Sequence, residues 1–156
     1  MTLLTLLEPD TAFGWTSSAA LLAWIALVLS PPRARWTPWA WRITGRVLPV
    51  VFGLVYGALL AFHWRGEGGF NSLDDVRAMF AVPGALTAGW VHYLAFDLFV
   101  GTWIAERSAR LGLGHPWVIP LLLMTFLFGP LGLLAFVLLR ALRDPTSLKW
   151  QPGASS

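Results

Sequence analysis

Residues 89–101, with the sequence GWVHYLAFDLFVG, place a histidine and an aspartate inside an apolar run long enough to cross a lipid bilayer. The run extends over residues 83–105, so its middle falls near Leu94. At ~1.5 Å of rise per residue, His92 and Asp97 both lie within roughly 5 Å of the midplane. A centred aspartate costs ~2.5 to 3.5 kcal/mol on insertion scales, so such a residue usually faces the protein interior, a partner or water. These two residues are therefore the first candidates for a functional site.

Each of the two residues has a structural interpretation beside the functional one. Asp97 as an uncharged carboxyl can hydrogen-bond across helices and hold a bundle together, and His92 can be satisfied by a carbonyl or hydroxyl of a neighbouring span. Helical geometry puts Tyr93 and Trp90 on the face of Asp97, at four and seven residues, and His92 about 140° away. We therefore expect no hydrogen bond between His92 and Asp97.

The composition is that of a small membrane protein. Of the 156 residues, 56% are hydrophobic and only 12% are charged, and the mean hydropathy is +0.64. The net charge of +3 comes mainly from arginines that flank apolar segments. This arrangement differs from the basic stripe of a nucleic-acid-binding protein, so nucleic acid is not expected as a partner. The absence of cysteine excludes disulfides, thiolate metal sites and cysteine nucleophiles.

The hydropathy pattern predicts an all-α, polytopic membrane protein with a single domain. Four transmembrane helices are expected over approximately residues 13–30, 44–63, 83–105 and 117–142. A short amphipathic helix is expected in the second loop, over residues 72–81, with Ser72 as its N-cap and Asp75 three residues later. A polar tail over residues 143–156 completes the chain.

Small and ring-constrained residues mark the second and fourth predicted spans. The second span carries one at every fourth position: Gly45, Pro49, Gly53, Gly57 and Ala61. Such a stripe predicts that another helix packs closely against it. In the fourth span, Pro130 predicts a kink that frees a backbone carbonyl, and freed groups at membrane depth must face protein or a cavity. A kinked fourth helix is thus a candidate pocket wall opposite Asp97, with plain packing as an equal alternative.

The distribution of basic residues does not decide the orientation of a four-span protein. Loops one and three would carry six arginines, at positions 33, 35, 42, 46, 107 and 110. The other face would carry five basic residues, at positions 65, 77, 140, 143 and 149. Only the flanks of the first helix, with acids before it and arginines after it, favour termini on the outside.

The motif over residues 89–99, followed by His115 and by LMTFLFGPLGL over residues 123–133, resembles the abscisic-acid-deficient-four-like membrane family. The resemblance covers approximately residues 47–140. Plant members are linked to neoxanthin synthesis from violaxanthin, so the resemblance implies a protein that acts on or binds a carotenoid or another isoprenoid in the bilayer, without a cofactor. It also implies that His92, Asp97 and His115 are the recurrent polar residues, with Trp90 and Pro130 setting the shape. We expect a multi-pass protein of the bacterial inner membrane.

The first functional hypothesis is an isomerase of the carotenoid-epoxide type. Turning an epoxide into an allenic alcohol moves no electrons, so an acid and a base suffice and no redox cofactor is needed. Asp97 is the candidate acid, and His92 or His115 the candidate base. The candidate substrate-binding residues are Trp90, Tyr93, Phe96, Tyr56, Thr125 and Pro130.

Other functions remain open beside the enzyme. The protein can be a non-catalytic helper or pigment-binding subunit of a biosynthetic complex, or a small oligomer that conducts protons or ions past Asp97 and His92. Expected partners are membrane lipids, the isoprenoid, a second copy of the chain or biosynthetic enzymes. No metal site is predicted, because the available ligands, His63, His92, His115, Asp97 and Glu106, lack the i, i+3 or i, i+4 spacing of a helical metal pair.

Overall fold

The computed structural model describes residues 3–64, 66 and 68–143 of the chain, and its regular structure in these ranges is entirely helical, as predicted. The helices are α1 (Leu3–Leu6), α2 (Pro9–Val28), α3 (Thr37–Arg42), α4 (Leu48–His63), α5 (Leu73–Ala81), α6 (Pro83–Arg110), α7 (His115–Phe128) and α8 (Pro130–Arg143). A π-helical turn, Ile43–Val47, joins α3 to α4. The predicted tail, apart from Arg143, lies outside the described residues.

The first two predicted spans are helices long and apolar enough to cross a membrane. The first, α2, begins at Pro9, whose missing N–H is one that the first turn of a helix leaves unbonded anyway. The second is continuous over Thr37–His63, 27 residues, and starts earlier than the predicted residue 44. Pro38 in its first turn explains the difference, because a proline there favours helix initiation within a stretch we expected to be a connector.

The interfacial helix and the central span follow the sequence closely. The Ser72 Oγ accepts a hydrogen bond from the Asp75 backbone N–H at 3.1 Å, so the predicted N-cap of α5 is confirmed. α5 lies crosswise to α6, at an angle of 102°. α6 runs on to Arg110, five residues past the predicted end, and its last turn carries the ion pair of Glu106 with Arg110. α5 and α6, taken together as one bent segment, are long and apolar enough to form a third candidate span.

The prediction of one helix over residues 117–142 is wrong. The chain breaks at Gly129, which has φ +50°, and Pro130 then starts a new helix. Pro130 has no N–H with which to continue α7, and the Gly129 N–H closes that helix on the Thr125 carbonyl at 2.8 Å. α7 and α8 have 14 residues each, or ~21 Å, less than the ~30 Å of a bilayer core. The described helices thus offer two to three spans, and the predicted count of four is not confirmed.

α8 turns back alongside α7. Gly132 packs directly on the backbone of Thr125, where a Cβ atom would overlap it. One turn further, the Phe136 ring meets the Trp103 ring of α6 edge-on, with 5.4 Å between centroids. Gly129 contacts Asp97, and Trp103 follows Asp97 on α6 in the direction of Arg110. α8 therefore returns to the end of the bundle where α6 finishes, and we call the pair the α7–α8 hairpin.

α6 is the central helix and carries two hydrophobic clusters. One joins it to α2 and to the α7–α8 hairpin, and includes Trp24, Leu27, Leu98, Leu122 and Phe136. The other joins it to α2 and α4, and includes Phe52, Leu59, Ala88, Val91 and Leu94. The buried hydroxyls of Thr44 and Thr102, 2.8 Å apart, form a polar link between the π-helical turn and α6.

Within the described chain, the small-residue stripe packs against a helix at Gly45, one of its three glycines. A Cβ atom on Gly45 would lie 2.6 Å from the Thr102 Cγ2, so close packing is confirmed there. At Gly53 and Gly57 no atom lies within 4 Å of the position that a Cβ would take, so no described helix covers them. Close packing at these two glycines therefore stays a prediction, and Gly53 lines an open groove.

Candidate functional site

A groove with a volume of about 650 Å³ lies between α4 and α6. On the α4 side the groove is not filled, because Gly53 has no side chain and Pro49 has a short one. Its α6 side is formed by Ala95, Phe96 and Phe99. The walls are almost wholly apolar, and the polar groups stand at the two ends.

One end of this groove holds Tyr56 and His92. Their rings lie 5.5 Å apart between centroids, and the imidazole also packs on Phe96 at 4.6 Å. Neither the Tyr56 hydroxyl nor a His92 ring nitrogen makes a hydrogen bond within the described part of the chain. Both groups are thus available to a ligand in the groove, in a setting with few competing polar atoms.

A second cavity, of about 310 Å³, continues beyond the same two residues. It lies under α5, which contributes Met79 and Phe80, and Phe80 presses on Gly89 of α6. Tyr56 and His92 line both cavities, so we treat them as one feature, the α4–α6 groove. From Arg46 to Trp64 the groove extends over eighteen residue-to-residue steps, or ~27 Å at the rise of a helix, close to the thickness of a bilayer core.

The far end of the groove is charged. Arg46 lines it, and its guanidinium lies 3.1 Å from the Glu106 carboxylate. Glu106 also pairs with Arg110 at 3.6 Å, so one carboxylate serves two cations. The groove therefore extends from α5, past Tyr56 and His92, to Arg46. At the Arg46 end, two arginines share one carboxylate, so the local charge is positive.

Asp97 lies outside the α4–α6 groove. It is buried against the tip of the α7–α8 hairpin, where its oxygens would lie 3.0 and 3.2 Å from a Cβ atom placed on Gly129. Its Oδ2 atom has no hydrogen-bond partner among the described residues. The separation of about 140° expected between Asp97 and His92 thus places them in different surroundings, one at a helix break and the other in an open groove.

The other predicted catalytic residue, His115, joins two helix ends. Its Nε2 atom lies 2.9 Å from the Val28 carbonyl oxygen, which ties the start of α7 to the end of α2. His115 lines neither part of the groove. The three predicted catalytic residues therefore do not converge on one cavity.

The predicted substrate-binding residues are also divided among different places. Tyr56 and Phe96 line the groove, whereas the Tyr93 and Trp90 rings contact each other in a tilted arrangement elsewhere on α6, with 5.7 Å between centroids. The Trp90 indole donates a hydrogen bond to the Ser17 hydroxyl of α2 at 2.9 Å. Thr125 is buried and donates to the Leu121 carbonyl, and Pro130 starts the second arm of the hairpin.

Sequence reasoning missed several groove residues: Arg46, Pro49, Val50, Gly53, Ala95 and Phe99. A signal for two of them was present, because Pro49 and Gly53 belong to the small-residue stripe. That pattern predicts an approachable helix face, and the occupant of the face can be a ligand as well as a helix. Among the described residues, no group of three or more His, Asp or Glu side chains is placed to hold a metal ion.

Comparison with known protein families identifies a relationship. The profile of the ABA DEFICIENT 4-like family matches residues 11–136, which include all but the first two residues of α2, the helices α3 to α7 and the first half of α8. No curated protein and no solved structure matches the chain significantly. The match covers most of the chain, including both walls of the groove and the tip of the α7–α8 hairpin. The apolar helices of the chain are those of a membrane protein. The chain therefore belongs to the ABA DEFICIENT 4-like family.

Proposed function

We propose that this protein binds a long, apolar isoprenoid of the carotenoid class in the α4–α6 groove and isomerises it without a redox cofactor. The observation that carries the proposal is the pair of unbonded polar groups, on Tyr56 and His92, in an otherwise apolar groove. The groove opens on the outer surface of helices that are apolar enough to lie in a membrane, so its ligand would enter sideways from the bilayer.

The dimensions of the groove favour a rod-like ligand. A length of ~27 Å with aromatic side chains along it suits an extended polyene, because flat conjugated chains pack well against Phe rings. Phe96 and Phe99 stand in one half and Phe80 in the other. The similarity to a family whose plant members are linked to neoxanthin synthesis supports the carotenoid class.

The reaction we propose needs one proton donor and one proton acceptor on the same ligand. The Tyr56 O–H donates a proton to the epoxide oxygen as the C–O bond breaks, and the His92 imidazole removes a proton from the neighbouring carbon. Return of that proton from His92 to the Tyr56 oxygen restores both groups for the next turnover. The electron pair of that C–H bond forms the new double bond, so the product is an isomer and no electrons leave the ligand. In this proposal Tyr56 takes the acid role that the sequence assigned to Asp97.

Pigment analysis in a carotenoid-producing host tests the proposal. The host expresses wild type or His92→Ala at equal membrane levels, and its pigments are separated by chromatography. We expect a new or shifted carotenoid with wild type that disappears with His92→Ala. The same new pigment in both cultures would exclude His92 from the chemistry, and pigment that co-purifies with wild type unchanged would show a binding protein instead of an enzyme.

A further inference from the structure

The return of α8 alters the distribution of charge between the two ends of the bundle. Because α8 comes back to the end where α6 finishes, the arginines of its last turn join those of the α2–α3 connection and of the α6 terminus. This end, which we call the arginine end, carries eight arginines in the described chain: Arg33, Arg35, Arg42, Arg46, Arg107, Arg110, Arg140 and Arg143. Its acidic side chain within the same ranges is Glu106.

The opposite end has the reverse composition. Its described charged residues are the acids Glu8, Asp10, Asp74 and Asp75 and the single base Arg77, which pairs with Asp74 at 2.8 Å. Among the described residues, a four-span arrangement would place six basic residues at one end and three at the other, whereas the hairpin places eight at one end and one at the other. The break at Gly129 thus turns an undecided charge pattern into a strongly polarised one.

The arginine end also has the aromatic residues of a head-group layer. Trp36 and Trp39 are exposed on the segment that carries Arg33, Arg35 and Arg42. The Arg42 guanidinium lies over the Trp39 ring, 5.8 Å from its centroid. Exposed tryptophans and arginines together suit the interface between acyl chains and phosphates, and each basic residue near the surface adds attraction to an anionic leaflet.

We propose that the arginine end is a docking surface for acidic phospholipid head groups and lies on the cytoplasmic side of the membrane. The acidic end with Glu8 and α5 then faces the opposite compartment, in line with the excess of Arg and Lys in cytoplasmic loops. The α7–α8 hairpin enters the bilayer from the cytoplasmic side and returns to it, with its tip at Asp97 near the midplane.

Single-cysteine labelling tests the orientation, since the chain has no cysteine of its own. Asn71→Cys marks the acidic end, Leu111→Cys the end of α6, and Leu142→Cys the end of α8; all three positions are exposed. With a membrane-impermeant maleimide, we expect Asn71→Cys to be labelled in intact cells and the other two only after permeabilisation. If intact cells label both Asn71→Cys and Leu142→Cys but not Leu111→Cys, the chain crosses the membrane a fourth time. If intact cells label Leu111→Cys, the protein has the opposite orientation. Either result overturns the proposal.

Lipid selectivity tests the docking surface. The protein is reconstituted in phosphatidylcholine vesicles with a minor fraction of phosphatidylglycerol, and spin-labelled lipids of each kind report which are immobilised at its surface. We expect a several-fold preference for phosphatidylglycerol that falls with added salt. The double variant Arg33→Gln, Arg35→Gln should reduce it, whereas Arg77→Gln at the acidic end should not. Equal immobilisation of the two lipids, or an equal loss with Arg77→Gln, would refute the docking surface.

Discussion

The rings of Tyr56 on α4 and His92 on α6 stand 5.5 Å apart at the point where the two halves of the α4–α6 groove meet. Both side chains can therefore reach the same segment of a bound ligand. They lie about midway along the groove, so an extended ligand would present an interior position to them. A ligand confined to one half would present its end group.

Tyr56→Phe should separate binding from chemistry. The substitution keeps the ring that lines the groove and removes the hydroxyl that we propose as proton donor. We expect isoprenoid binding to persist while conversion falls ~10²-fold or more, the usual contribution of a general acid. The measurement is the amount of converted pigment per unit of membrane protein. Full conversion by Tyr56→Phe would remove Tyr56 from the mechanism and leave His92 to be tested alone.

Gly53→Leu should block the groove. No atom lies within 4 Å of the position a Cβ would take at Gly53, so the leucine fits without disturbing the helix and fills the space a ligand needs. We expect loss of co-purified pigment at normal protein yield. Gly14→Leu on α2 is the matched control, because Gly14 is equally uncrowded and lines no described cavity. Equal pigment in both variants would show that the ligand binds elsewhere.

Gly129→Ala should destabilise the α7–α8 hairpin. An alanine there would be held at φ +50° and would place its Cβ 3.0 Å from the Asp97 Oδ1. Backbone strain of this kind costs on the order of 1–3 kcal/mol. We expect a lower midpoint of thermal unfolding in detergent. The control is Gly14→Ala, which changes a helical glycine with open surroundings and should unfold at no lower temperature than wild type. An unchanged midpoint for Gly129→Ala would mean that the chain turns by another conformation.

Ser72→Ala should loosen one wall of the groove. The Ser72 Oγ caps α5 through the Asp75 N–H, and such a cap contributes ~1 kcal/mol. Because α5 supplies Met79 and Phe80 to the groove, we expect faster exchange of bound pigment, measured by transfer to empty vesicles. Ser18→Ala is the control, since its hydroxyl bonds the Gly14 carbonyl in mid-helix. If both variants exchange pigment at the wild-type rate, α5 does not retain the ligand.

Local signals in the sequence predicted the elements that depend on local physics. The cap at Ser72 and the long apolar run of α6 follow from residues close together in the chain. The angle between His92 and Asp97 also follows from the period of a single helix. The surroundings of His92 and of Asp97 were not predictable, because they depend on which helices pack on either side of α6.

The errors arise where one pattern is compatible with two tertiary outcomes. Pro130 marks an interruption, but whether the helix bends or reverses depends on the positive φ of Gly129 and on the contact of Gly132 with Thr125. The small residues of α4 predict an accessible face equally well for a helix and for a ligand. The contacts that decide between these outcomes are made by residues distant in sequence.

In the membrane arrangement that we propose, the α7–α8 hairpin reaches only half-way into the bilayer, which gives the protein a tapered cross-section. At the arginine end, the layer of hydrocarbon contains α2, α4 with its preceding turn, α6 and both arms of the hairpin. Beyond Gly129, the helices of the described chain that continue through this layer are α2, α4 and α6. The protein therefore displaces more lipid area from one leaflet than from the other, like a wedge. A wedge fits best where its broader leaflet is stretched, so membrane curvature becomes a physical influence on where in a cell this protein accumulates.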